Sequence, residues 1–128
     1  MFKNLEIFRM AQGSAVHAGA RQSLIAQNMA NADTPGYAAK DIAAFDVHFA
    51  DRGAGFSPTA TRETHLHGVP ANQSFDVITR SGVSTDPNGN GVSVETEMLH
   101  AVDVKRQHDR AIAIYKSAMT VLRASLGR

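Results

Sequence analysis

At 128 residues the chain has room for one domain. A hydrophobic share of 43% excludes a wholly disordered protein, but alanine supplies much of it, so the core is expected to be thin. Zero cysteine rules out disulfides, thiolate zinc sites and a cysteine nucleophile, and 13 basic against 12 acidic side chains, a net charge of +1, give no global attraction to nucleic acid.

At the start of the chain, Glu6 and Arg9 fall where a secretory signal needs an unbroken apolar run, so no cleaved signal peptide is expected. No run reaches the roughly 18 apolar residues of a membrane span, which points to a soluble chain. Residues 5–33 lack proline, and Phe8, Ala11, Ala15, Ala18, Gln22, Ile25, Met29 and Ala32 recur at spacings of three and four. The spacing predicts a helix about 40 Å long whose apolar stripe only Gln22 breaks. Gly13 and Gly19 lie inside it, each costing roughly 1 kcal/mol relative to Ala, so the helix is expected to be marginal alone. Small residues from Gly13 to Ala20 would let another helix approach closely, whether in an ordinary bundle or only on assembly.

The helix must stop in Asn28-Met29-Ala30-Asn31-Ala32-Asp33-Thr34-Pro35-Gly36-Tyr37. Thr34 precedes a proline and is pushed out of the α region, while Pro35-Gly36 suits the centre of a type II turn. Asn28 and Asn31, one turn apart, can bond exposed carbonyls or the departing loop, and Tyr37 can fold back on the helix end. Read alone, these residues equally describe an ordinary helix terminus followed by a turn.

Most of the glycine and proline falls between Ala38 and Gly91, which makes the middle loop-rich. Asp41 to Asp51 reads as a short helix through Ile42, Phe45 and Phe49 in preference to a strand. Phe75 to Thr79 reads as a short strand, and Val92 to Val94 as another after the turn at Asp86-Pro87-Asn88-Gly89. His65 and His67 are the most ligand-like pair, but zinc wants three or four ligands and no third is marked by spacing. His17, His48, His100 and His108 read as surface or helix-packing residues. Phosphate-loop, dinucleotide, nucleophile-elbow and zinc-protease motifs are all missing, so neither catalysis nor a cofactor is expected.

A second helix is predicted from about Glu95 to Leu126, free of proline and internal glycine. Ser93 is a candidate N-cap, although Thr96 rather than Glu or Gln follows three residues on. Acidic Glu95 and Glu97 at its start and basic Lys116, Arg123 and Arg128 towards its end complement the helix dipole. Ile112, Tyr115, Met119, Leu122 and Leu126 form one apolar stripe; Met98, Leu99, Ala101 and Val102 begin another. Between them Lys105, Arg106, Asp109 and Arg110 read as a solvated face.

Asn28, Asn31 and Thr34 to Tyr37 match, in order and spacing, a signature of the axial proteins of the bacterial flagellum, and the chain resembles that family at a second place. Gly89-Asn90-Gly91-Val92-Ser93-Val94-Glu95-Thr96-Glu97-Met98 is similar to the family's entry into its C-terminal helix, with Ser93 in place of the usual Asp. Leu5 to Phe8, Lys40-Asp41-Ile42 and Thr61 with His65-Leu66 resemble a short proximal rod subunit, and the length leaves no room for the inserted domains of distal rod and hook proteins. The resemblance covers roughly residues 5–45 and 86–126. Its signature positions here are Asn28, Asn31, Thr34, Pro35, Gly36, Tyr37, Asn90, Val92, Glu95, Glu97 and Met98.

The resemblance implies a mainly α protein whose long terminal helices pair as a coiled-coil hairpin, with an irregular middle carrying at most short strands. Residues 1–37 and 92–128 would form one helical domain around a middle segment, 38–91. Phe8, Ala11, Ala15, Ala18, Ile25, Met29, Ile112, Tyr115, Met119, Leu122 and Leu126 are the expected helix-assembly interface. The implied function is structural: a self-assembling subunit of the basal-body rod that supports torque transmission, exported without a cleaved signal by the flagellar type III system. Implied partners are rod subunits of the FlgC, FlgF and FlgG types, an adaptor of the FliE type, the export gate and a peptidoglycan hydrolase. The alternatives are the sibling proximal rod subunit of the FlgC type, a soluble helical adaptor that never polymerises and, last, a His65/His67 metal enzyme.

Overall fold

Two series of buried residues, each with a seven-residue spacing, set the architecture. On the first helix, α1 (Phe2–Ala30), the series is Ala11, Ala18 and Ile25; on the last, α2 (Val94–Ser125), it is Glu97, Val104 and Ala111. A seven-residue repeat keeps one face turned to a partner over many turns, so the helices lie together as a coiled-coil hairpin. They run antiparallel: Phe8 packs edge to face on Tyr115 with ring centroids 5.2 Å apart, while at the other end Asn28 bonds Glu97. The innermost cluster is Ala18, Ile25 and Val104, with Met29 and Ala101 packed against it. The computed structural model describes residues 2–45, 59–60, 69–70, 75–80, 87 and 89–127, and in these the protein is mainly helical.

Short strands join the helices. β1 (Lys40–Ile42) leaves the end of α1 and lies along it with Asp41 and Ile42 buried. β2 (Thr59–Ala60) and β3 (Val69–Pro70) form a parallel pair. β4 (Val77–Thr79) pairs antiparallel with β1 in the register Lys40↔Thr79, Asp41↔Ile78 and Ile42↔Val77, and the Arg80 amide extends the ladder by donating to the Ala39 carbonyl at 2.9 Å.

Several sequence expectations need correction. α1 ends at Ala30 rather than near residue 33, because the Asn31 side-chain amide takes the Gln27 carbonyl at 2.8 Å and the Ala32 amide turns back to Met29, tightening the last turn. Lys40–Ile42 is strand where the sequence favoured helix from Asp41, since β4 supplies a ladder partner that local periodicity does not reveal. Phe45 has helical backbone; residues 46–51 lie outside the described residues. Val92 is not strand: Asn90 Oδ1 accepts its amide at 3.0 Å in a local turn, and Val94 already opens α2. The strand expected over Phe75 to Thr79 is present as Val77–Thr79. Ser93 caps α2 as expected, accepting the Thr96 amide.

The stripes are also re-sorted. Gln22 is exposed, and Arg21 takes the inward position instead. On α2 the buried seam is Glu97, Val104 and Ala111, while Met98, Leu99 and Val102 face outward and only Ala101 of that expected stripe turns in. A charged residue at the head of the seam hid it from a purely apolar count. Gly13 and Gly19 do not receive the second helix: a Cβ on Gly13 would lie 3.3 Å from the Phe45 ring, and one on Gly19 would meet nothing within 4 Å.

Candidate functional site at the helix junction

The end of α1, the following turn, β1, the residue after β4 and the start of α2 converge at one end of the hairpin. The turn comes first. Thr34 O accepts the Tyr37 amide at 3.2 Å across Pro35-Gly36, and Gly36 has φ of 72°, the positive value that the third residue of a type II turn demands. Asn31 braces it, its carbonyl taking the Thr34 amide at 3.0 Å and its Oδ1 the Thr34 hydroxyl at 3.3 Å. The chain is thereby folded back so that the Tyr37 carbonyl accepts the Gly91 amide at 3.1 Å. A Cβ on Gly89 would sit 3.6 Å from the Gly36 Cα, so the two motifs meet backbone to backbone.

Asn28 stands at the centre, fully buried. Its Nδ2 donates to the Lys40 carbonyl at 2.8 Å and to Glu97 Oε2 at 3.0 Å, and its Oδ1 accepts the Lys40 amide at 2.9 Å and the Tyr37 hydroxyl at 3.4 Å. Two donors and two lone pairs are the whole capacity of a side-chain amide, and all are used. One residue therefore fixes α1, the turn, β1 and α2 against one another.

Beside it lies a balanced set of charges. Arg21 grips Asp41 in a two-point fork, Nε to Oδ1 at 2.8 Å and Nη2 to Oδ2 at 3.0 Å, the geometry in which guanidinium and carboxylate bind best. Arg80 reaches Asp41 Oδ2 through Nε and Nη2, at 3.2 and 3.1 Å, and Glu97 Oε1 through Nη1. The Ile42 amide adds a bond to Asp41 Oδ1 at 2.8 Å. Burial by itself pushes the Asp41 carboxyl upward, but the Arg21 hydrogen bond, the Ile42 amide and the charges of Arg21 and Arg80 outweigh it and hold the group below its ordinary value. The bond to Asp41 correspondingly raises Arg21. With two cations meeting two anions, the cluster is neutral and its charges are occupied by each other; its chemistry is that of a joint.

The signature residues divide across this joint. Asn28, Asn90, Val92 and Glu97 are buried and Tyr37 and Asn31 half-buried, whereas Thr34, Pro35, Gly36, Glu95 and Met98 are exposed. Of the expected helix-assembly residues, Ala11, Ala18 and Ile25 are buried in the chain's own hairpin. Phe8, Ala15, Met29, Ile112, Met119 and Leu122 are half-buried, and Tyr115 and Leu126 are exposed. His65 and His67 lie outside the described residues, among which no group of three or more metal-ligating side chains occurs. Lys105, Arg106, Asp109 and Arg110 are exposed, with Lys105 and Asp109 paired at 2.6 Å along the helix.

Sequence reasoning missed Arg21 and Arg80, and met Asp41 only within the Lys40-Asp41-Ile42 resemblance, without its ion pairs. Arg21 was legible in one respect, since it stands seven residues before Asn28 on the same face. Of the two expectations for His17, surface or packing, burial decides for packing: its Nε2–H donates to the Ala43 carbonyl at 2.7 Å, and its ring meets Phe45 and Phe75 edge on, at 5.7 and 5.3 Å.

Among the described residues no helix is long and apolar enough to cross a membrane. No protein-family model matches the chain. It is similar to flagellar basal body rod protein FlgB of Proteus mirabilis (strain HI4320), 35% identical over 113 residues, which cover 80% of this chain and 82% of the relative. FlgB of Agrobacterium fabrum (strain C58 / ATCC 33970) is 27% identical over 116 residues, 88% of this chain and 87% of the relative. FlgB of Bacillus subtilis (strain 168) is 28% identical over 109 residues, 82% and 84% of the two chains. Such likeness along most of both lengths, together with the motif junction, places the chain in the FlgB family of flagellar basal body rod proteins.

Proposed function

We propose that this rod component works by polymerising through the outer faces of its helical hairpin, and that the resulting packing carries torque along the proximal rod. The observation that supports the reading most strongly is the distribution of apolar surface. Apart from Ile25 and Val104 the apolar residues of the inner seam are alanines, while α1 turns out Ile7, Met10 and Val16, α2 turns out Met98, Leu99, Val102 and Val121, and Leu126 follows at its C-cap, with Leu99 69% and Leu126 77% exposed. Apolar residues that alternate with the buried seam along both helices suit burial against neighbouring subunits, the arrangement in which a thin core becomes a thick one. The exposed signature residues Thr34, Pro35, Gly36, Glu95 and Met98 then act between subunits and the buried ones within.

In this reading the chain reaches the periplasmic rod through the flagellar type III gate, which its thin core suits. Its neighbours are FlgC-, FlgF- and FlgG-like subunits and a FliE-like adaptor, with a peptidoglycan hydrolase opening the wall. Leu99→Asp and Val121→Asp test the proposal, because both side chains are already solvated and the hairpin keeps its own seam. Purified variants are expected to retain wild-type circular dichroism while cells relying on either one lose swimming and rods fail to form. Normal swimming with both variants would favour a helical adaptor that does not polymerise.

A further inference from the structure

We propose that Arg80 closes a charge latch that holds β4 onto β1 and the helical hairpin, so that β4 is a separately releasable strand. Among the described residues, what else holds β4 at this end is the backbone ladder, extended by the Arg80 amide on the Ala39 carbonyl. Val77, Ile78 and Thr79 are all exposed, so side-chain burial does not anchor the strand, and its ladder to β1 spans three residue pairs. At the far end Phe75 rests edge on against His17 of α1. At the near end the strand is tied to the rest of the fold by Arg80, one guanidinium shared between Asp41 of β1 and Glu97 of α2. β1 has independent moorings, the Arg21 fork on Asp41 and the Asn28 bonds to Lys40. Loss of Arg80 therefore frees β4 before β1.

The bridging needs an arginine. Three nitrogens in a fixed plane reach two carboxylates on different elements, whereas a lysine ammonium is a single point charge. The latch also responds to acid. Asp41 faces Arg21 from α1 and Arg80 from the end of β4; Glu97 faces Arg80 and Asn28; Asp103 adds its field at Arg21 from α2. Because Asp41 is held below its ordinary value in the folded chain, its contribution is fully present above that value and fades as pH falls through the lowered one. Protonation of Asp41 removes the ionic half of the bridge between Arg80 and β1.

The test is amide hydrogen exchange on the full chain, reading residues 77–80 against the helical seam around Ile25 and Val104. Arg80→Gln is expected to speed exchange at 77–80 at least tenfold while the seam changes less than threefold. The double variant Arg80→Gln/Glu97→Gln, which removes the stranded carboxylate, keeps the strand fast and the seam slow. Arg80→Lys does not restore wild-type protection. In the wild type, lowering the pH below the ordinary carboxylate range releases 77–80 before the seam, an arm that stands even where a variant fails to fold. Unchanged strand protection in Arg80→Gln, full restoration by lysine, or simultaneous release of strand and seam in the double variant or in acid would each overturn the latch.

Discussion

At one end of the hairpin Phe8 meets Tyr115 edge to face and the neighbouring seam residues are the alanines Ala11 and Ala111; at the other, Asn28 makes four hydrogen bonds beside a cluster of two guanidiniums and two carboxylates. Alanines bury little area, and at about 25 cal/mol per Å² their contacts are weak and indifferent to direction. They would tolerate a slip of one helix along the other. Hydrogen bonds from a buried amide do not, since a shift of one turn would part Asn28 from Glu97, both of them buried. A polar residue at a seam position is known to fix register at some cost in stability. Here the seam positions Asn28 and Glu97 do so at one end only, which leaves the alanine end to be defined by its surroundings.

The largest expected effect breaks the seam where both kinds of packing meet. Ile25 is buried against Ala18 and Val104, and Ile25→Asp puts an unpaired charge there, so the hairpin is expected to lose about 4 kcal/mol or more and swimming with it. Leu122→Asp, at a half-buried site towards the alanine end, is expected to cost less in the monomer. Urea titration of the two variants measures the difference, and equal losses would erase the distinction between the ends. Asn28→Ala comes next. It strands Glu97 Oε2 and both polar groups of the Lys40 backbone and is expected to cost about 3 kcal/mol, since each buried orphan is worth roughly 1–3 kcal/mol. A loss under about 1 kcal/mol would mean that the polar end is not the anchor.

These two ends also differ in how far the sequence reveals them. Both long helices, the Ser93 cap and the turn at Pro35-Gly36 follow from local rules, because spacing, missing prolines and the φ that only glycine takes readily are properties of neighbouring residues. The place of Asn28 was half legible: its motif announced a helix end, but not that its amide would reach Glu97, 69 residues away. Arg80 left no trace, since its partners Asp41 and Glu97 lie 39 and 17 residues off and only the fold brings them together. The choice of face on α2 failed for a related reason. Met98, Leu99 and Val102 are the more apolar set, yet Glu97 goes inside because Asn28 and Arg80 neutralise the cost of burying it.

The smallest expected effect separates two glycines of α1 that look equivalent in sequence. Gly19 is exposed and a Cβ there meets nothing within 4 Å, so Gly19→Ala is expected to stabilise the chain by up to about 1 kcal/mol through helix propensity alone. At Gly13 the added Cβ would stand 3.3 Å from Phe45 Cε2, tighter than an ordinary contact, and the ring also packs on His17. Phe45 follows directly on the polar joint through β1, so displacing it works against that end of the molecule. Gly13→Ala is therefore expected to show no gain and to fall about 1 kcal/mol or more below Gly19→Ala in urea midpoints at unchanged slope. Equal stabilisation by both would mean that Phe45 yields freely, and that α1 is braced by its hydrogen-bonded end without help from the ring beside Gly13.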